Sequence, residues 1–200
     1  MAHPAGVAGF AELVIMNTVS LRRPGWLGIT IGLLLAGGLV RSVWAGKTPQ
    51  VGDRPPAVVA ADQDGKTWKL ADHVGKSIVL LYFYPKDDTP GCTKEACGLR
   101  DRMGDLQKDG VVVVGVSFDS AASHQKFREK FHLNFPLLVD TEGKLADEFG
   151  TRMAGHPMAR RVSFLIGLDG RIAHVTDNPD AQVHLDEMKA AIAKLKATAR

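Results

Sequence analysis

Tyr82-Phe83-Tyr84-Pro85-Lys86-Asp87-Asp88-Thr89-Pro90-Gly91-Cys92-Thr93-Lys94-Glu95-Ala96-Cys97 is the stretch on which the reading of this chain turns. The apolar run Ile78–Tyr84 reads as a buried strand, Pro85 stops it, and Thr89-Pro90-Gly91 turns the chain. Cys92 then falls in the first turn of a helix expected over Thr93–Lys108. Unpaired N–H groups and the positive end of a helix dipole favour a thiolate there, and an exposed loop-to-helix junction suits a reactive thiol. Both cysteines of the chain lie in this one segment. From the residues alone, a structural disulfide or a pair of inert core thiols stands as the alternative.

The spacing Pro85-x-x-x-Thr89-x-x-Cys92 resembles the active-site motif of the peroxiredoxins, thiol peroxidases built on a thioredoxin fold. The fuller string YFYPKDDTPGCTKEAC is similar to the bacterioferritin comigratory protein, or Q-type, branch, in which a second cysteine lies five residues on, as Cys97 does. The resemblance implies that Cys92 is the peroxidatic cysteine, that Cys97 resolves it as an intramolecular disulfide, and that a thioredoxin-like dithiol re-reduces the pair. It gives hydrogen peroxide or organic hydroperoxides as substrates and calls for no cofactor. Pro85 would shield the sulfur, and the Thr89 hydroxyl would donate to the sulfur or to one peroxide oxygen and accept from the other. Thiolate attack on the O–O bond yields a sulfenic acid, which condenses with a nearby thiol.

A thiol peroxidase also needs a fixed positive charge at the sulfur. Arg161-Val162-Ser163-Phe164-Leu165-Ile166 resembles the family's strand carrying its active-site arginine, which selects Arg161 over Arg160. A guanidinium stays charged at any working pH and donates in a fork. The preceding loop, Gly150–Ala159, is short and holds Gly155-His156-Pro157, a departure from the family in the wall of the site. Glu95 is a residue type the family often has at that place, and first-turn capping explains it as well. Asp87 and Asp88 read as solvated turn residues, and Trp68 as hairpin packing.

Residues 1–45 stand apart from the globular core. Arg22-Arg23 precedes an uncharged run of 15 residues, Trp26–Val40, followed by Val43-Trp44-Ala45. These are the three parts of a secretory signal peptide, with cleavage expected after Ala45 and a periplasmic product. The run is short for a spanning helix, which needs about 20 residues, and it contains four glycines. An uncleaved membrane anchor is the alternative. The arginine pair suggests twin-arginine export, although Pro24-Gly25-Trp26 copies that signal poorly, and Met16 offers a better start than Met1.

Removing residues 1–45 takes away Arg22, Arg23, Arg41 and Glu12, which leaves 22 of 25 basic and 21 of 22 acidic residues, a net of +1. Such a balance, with no basic stripe and no Gly-rich phosphate loop, gives no basis for nucleic-acid binding. The seven histidines are scattered without metal-site spacing. Residues 46–56 read as a polar linker and 57–200 as one domain, expected as a monomer.

Beyond Pro56 the pattern alternates. Val58–Ala61 and Thr67–Leu70 form a hairpin, and Ala71–Val74 a helical turn. Val111–Phe118, apolar on both faces, reads as a central parallel strand. Ala121–Phe131 is a helix, Pro136–Val139 a strand and Thr141–Phe149 a helix. Arg161–Ile166 pairs with Arg171–Val175 around Asp169-Gly170, and Ala181–Thr198 closes as an amphipathic helix. Gly98 and Gly104 are expected to weaken the cysteine helix. The order gives an α/β class with a central mixed β-sheet flanked by helices and an N-terminal hairpin, which agrees with the thioredoxin-like fold the resemblance implies. The competing function is a non-peroxidatic thioredoxin-fold protein, either a thiol–disulfide oxidoreductase or a domain with a structural Cys92–Cys97 bridge. A dithiol oxidoreductase would usually carry Cys-x-x-Cys, and the four-residue gap and the Pro85/Thr89 pair argue against that form of it.

Overall fold

The strand Ile78–Phe83 (β3) is buried along its whole length and forms the middle of a five-stranded mixed sheet. A computed structural model describes residues 46–198. The signal or anchor segment expected at 1–45 lies outside the described residues. On one side β3 pairs in parallel with β4 (Val111–Ser117), which pairs in parallel with the edge strand β5 (Leu137–Val139). On the other it pairs antiparallel with β6 (Val162–Ile166), followed by β7 (Ile172–Asp177). β4 is parallel as expected, but β3, rather than β4, holds the centre. A separate hairpin of β1 (Val59–Ala61) and β2 (Thr67–Lys69) precedes them and is bridged from Asp62 to Leu138 on β5.

The period-two alternation of β3 divides the core in two. Leu80, Tyr82 and Tyr84 face a layer with Cys92, Leu99, Phe127, Leu185 and Met188. Val79, Leu81 and Phe83 face Val114, Phe149, Phe164 and the hairpin side. The first layer is covered by α1 (Pro90–Asp101), α2 (Met103–Lys108) and α5 (Ala181–Thr198), joined by α3 (Ala121–Phe131) through Phe127; the second includes α4 (Lys144–Glu148).

The single helix expected over Thr93–Lys108 is two. Arg102 adopts φ −95°, ψ 0°, and its N–H and carbonyl make bonds to Leu99 and from Asp105 in the tighter three-residue pattern. Gly104 therefore belongs to α2, not to the cysteine helix. Gly98 does not loosen α1 either. A Cβ there would lie 2.5 Å from a methyl of Leu185, so its missing side chain lets α1 sit close against α5. The lead-in read as a linker is bonded onto the domain: Gly52 N–H donates to the Ile172 carbonyl at 2.8 Å, and Thr48 Oγ1 to the Gly150 carbonyl at 3.1 Å.

Candidate active site

The ladder runs one residue past β3, through Tyr84 N–H to the Val116 carbonyl at 3.1 Å. Pro85 has no N–H to continue it, and the chain leaves the sheet there. Pro90 then sits in the first turn of α1, where its missing donor is harmless. Thr89 is the N-cap in extended geometry, but its hydroxyl donates to the Lys86 carbonyl at 3.0 Å, not to the sulfur. The expected Thr89–sulfur hydrogen bond is not made in this state.

Cys92 is 2% exposed, which corrects the expectation of an exposed thiol. It begins the core-facing stripe of α1, continued by Ala96 and Leu99. Cys97 is half-buried on the same helix, and both cysteines are free thiols. Five helical residues separate their Cα atoms by about 8.6 Å, beyond the roughly 4.4–6.8 Å of a disulfide.

Arg161 precedes β6 and is buried. Its Nη2 donates to Cys92 Sγ at 3.4 Å, its Nη1 to Glu95 Oε2, and its Nε to the Pro179 carbonyl at 3.1 Å. Gly91 makes this approach feasible, since a Cβ there would be 3.0 Å from Nη2. Arg160 turns away: it pairs with Asp177 and donates to the Gly150 carbonyl at 3.0 Å. Glu95 is no cap. It is buried on the stripe of α1 with Cys92, and burial pushes its carboxyl up to about 7 despite Arg161.

Asp87, expected in solvent, is buried as well. It accepts from Tyr84 Oη and Ser123 Oγ, each at 2.7 Å, and lies 2.9 Å from His124 Nδ1. Burial disfavours its charge, but the His124 hydrogen bond and charge, with the two hydroxyl donors, leave its carboxyl below the usual range. The Asp87 N–H donates to Asp119 Oδ2 at 2.9 Å, so the loop holding Pro85 and Thr89 is bound to both β4 and α3. Asp88 alone is exposed, paired with Lys130 at 2.6 Å. Sequence reasoning missed His124, although its spacing to Phe127 and Phe131 places it on the apolar face of α3.

A buried thiol beside a buried guanidinium, at the start of a helix on a mixed sheet, is the arrangement the motif implies. The family model for AhpC/TSA matches residues 51–175. The chain belongs to the AhpC/TSA family. It is 43% identical over 143 residues to Peroxiredoxin Bcp of Escherichia coli (strain K12), covering 68% of this chain and 91% of that one. A crystal structure of peroxidoxin BcpB from Mycobacterium tuberculosis matches with a TM-score of 0.67 and 32% identity over 74% of this chain and 97% of that one. The bacterioferritin comigratory protein of Xanthomonas campestris matches at 30% identity and a TM-score of 0.63, over 72% and 92% of the two chains. This peroxiredoxin is of the Bcp/peroxiredoxin Q branch, a thiol-dependent peroxidase and so an oxidoreductase.

Proposed function

We propose that Cys92 is the sulfur that reduces the peroxide and Cys97 the one that resolves it. The observation that carries this is the 3.4 Å contact of Arg161 Nη2 with Cys92 Sγ inside a buried site. The Cys92 thiolate attacks the terminal oxygen of the hydroperoxide, the O–O bond breaks, and the leaving alkoxide takes up a proton as alcohol or, from hydrogen peroxide, water. The Thr89 hydroxyl, its hydrogen directed at Lys86, accepts from the peroxide O–H, while Arg161 faces the developing charge. Pro85 keeps the sulfur from solvent at the head of the loop. The Cys92 sulfenic acid then condenses with the Cys97 thiol to a disulfide and water, and a thioredoxin-like dithiol reduces that disulfide. Both cysteines come from one α1, which supports action as a monomer.

Organic hydroperoxides join hydrogen peroxide as substrates. Alkyl peroxide reduction is described for the Xanthomonas campestris relative. Peroxide consumption with dithiothreitol tests the assignment: Cys92→Ser should abolish it, and a Cys92→Ser variant that retained it would overturn the reading.

The same proposal places the enzyme in the periplasm, on the strength of Arg22-Arg23, the apolar run Trp26–Val40 and Val43-Trp44-Ala45. No helix among the described residues is long and apolar enough to cross a membrane. Export predicts a mature N-terminus at Gly46, read by intact mass of the cell-envelope fraction. A full-length cytosolic product would refute it.

A further inference from the structure

The two oxygens of Glu95 have different surroundings. Oε2 accepts from Arg161 Nη1, whereas Oε1 is fully buried and has no hydrogen-bond partner among the described residues. Nδ1 of His184 lies 3.6 Å from Oε1. His184 is on the buried face of α5, with Nε2 at 2.7 Å from the Asn178 carbonyl. A carbonyl can only accept, so Nε2 carries the hydrogen and the neutral ring presents a lone pair at Nδ1. Ser163 Oγ, 2.7 Å away, donates to that lone pair. Glu95 Oε1 therefore faces a ring nitrogen that offers it no donor, and a bare carboxylate oxygen in a dry cluster is unfavourable. A proton on Glu95 removes that charge.

We propose that Glu95 and His184 together hold one proton in the peroxide-reactive state, so that the Cys92 thiolate is the single anion Arg161 has to balance. This rests on reading Cys92 as the attacking thiolate. His184 touches neither the sulfur nor the substrate and acts through Glu95, as a positioning residue.

Every element around the pair fits that assignment. α1 contributes Cys92, and the turn before β6 contributes Arg161. β3 contributes Tyr82, whose ionisation is pushed well up by burial and then by Glu95 and Cys92, so it stays neutral. Asp177, at the end of β7, is engaged by Arg160, and Glu187, on α5, by Thr176 and His174. Neither competes for the proton. With the proton in place, Arg161, the thiolate and the pair sum to zero charge. Without it, one net negative charge is buried and Arg161 is divided between two anions, which is costly in a low-dielectric site. Burial drives the Glu95 carboxyl up and the His184 imidazole down, so the proton of the pair resides on Glu95. As pH rises past about 7 the carboxyl ionises, draws Arg161 toward itself, and takes it from the peroxide.

The test is the pH profile of the peroxide step in the reduced protein, followed by rapid mixing. Wild type should show a descending alkaline limb as the pair loses its proton. In Glu95→Gln the amide copies the neutral, protonated carboxyl, its oxygen accepting from Arg161, and the descending limb should vanish. In His184→Gln a new donor reaches Oε1 and holds the carboxylate, moving the limb down by roughly one pH unit. The infrared carbonyl band of a buried, protonated carboxyl should titrate with the same midpoint in wild type and be missing from Glu95→Gln. A limb that survives Glu95→Gln unmoved, or a wild type without the carboxyl band, would overturn the proposal. A merely structural role would lower the rate evenly across pH. Persistent turnover in Cys92→Ser would sink the catalytic reading instead, while the infrared band, which needs no turnover, still decides the pair.

Discussion

Arg161→Ala should lose about 10²-fold or more in kcat/KM for peroxide, the size of effect that follows removal of one preorganised donor at a developing charge. Arg160→Ala should stay within a few-fold. The two side chains are adjacent in sequence but diverge at the start of β6. Arg161 is buried with its three donor groups on Cys92, Glu95 and the Pro179 carbonyl, whereas Arg160 lies against Asp177, Thr48 and the Gly150 carbonyl. Arg161→Ala leaves Glu95 buried without its cation, but a carboxyl already raised to about 7 can take up a proton instead of unfolding the domain. Arg161→Lys should also fall well short of wild type, because one ammonium cannot serve sulfur and carboxylate in a fixed fork. Steady-state kinetics with thermal melts of each variant check this. Equal losses from Arg160→Ala and Arg161→Ala at unchanged stability would mean that the site is organised around neither side chain in particular.

Oxidation should speed amide exchange across Thr93–Leu99 while β4, Val111–Ser117, keeps its protection. Cys92 and Cys97 lie on one helix at a Cα separation that no side-chain rotation closes. The first turns of α1 must therefore unwind for the disulfide to form, which also carries Cys92 out of the core toward a reductant. The structure marks where opening should stop. Arg100 Nη1 donates to the Phe131 carbonyl at 2.5 Å, so the end of α1 beyond Leu99 stays anchored. Opening as far as Gly98 gives up its close packing on Leu185, a cost that opposes unwinding where the sequence suggested a weak point. Slow opening leaves the sulfenic acid exposed to further oxidation. Exchange mapped by mass spectrometry on the reduced and oxidised protein decides the matter. Unchanged exchange after oxidation would exclude local unwinding without touching the peroxidase assignment.

By itself the sequence determined most of the elements and the reactive segment. The buried run Ile78–Tyr84, the stop at Pro85 and the turn at Thr89-Pro90-Gly91 act through local propensities, which a linear reading can weigh, and α3 and α5 appear with the bounds their patterns imply. The motif and its spacing likewise located Cys92, Cys97 and Arg161. What the sequence could not decide is which polar groups are taken out of water. Asp87 and Glu95 look like a turn residue and a cap. They become buried acids because Tyr84, Ser123 and His124 converge on one, and Arg161 and His184 on the other, from elements up to 89 residues apart in the chain. Gly98 reads as a helix weakness until α5 is seen packed onto it, and the break at Arg102 has no strong local signal. Thr89, too, directs its hydroxyl hydrogen to the Lys86 carbonyl, a partner the motif does not name. Burial and partnership are properties of the assembled layers, and they set the charge states of Asp87 and Glu95 that the one-dimensional pattern leaves open.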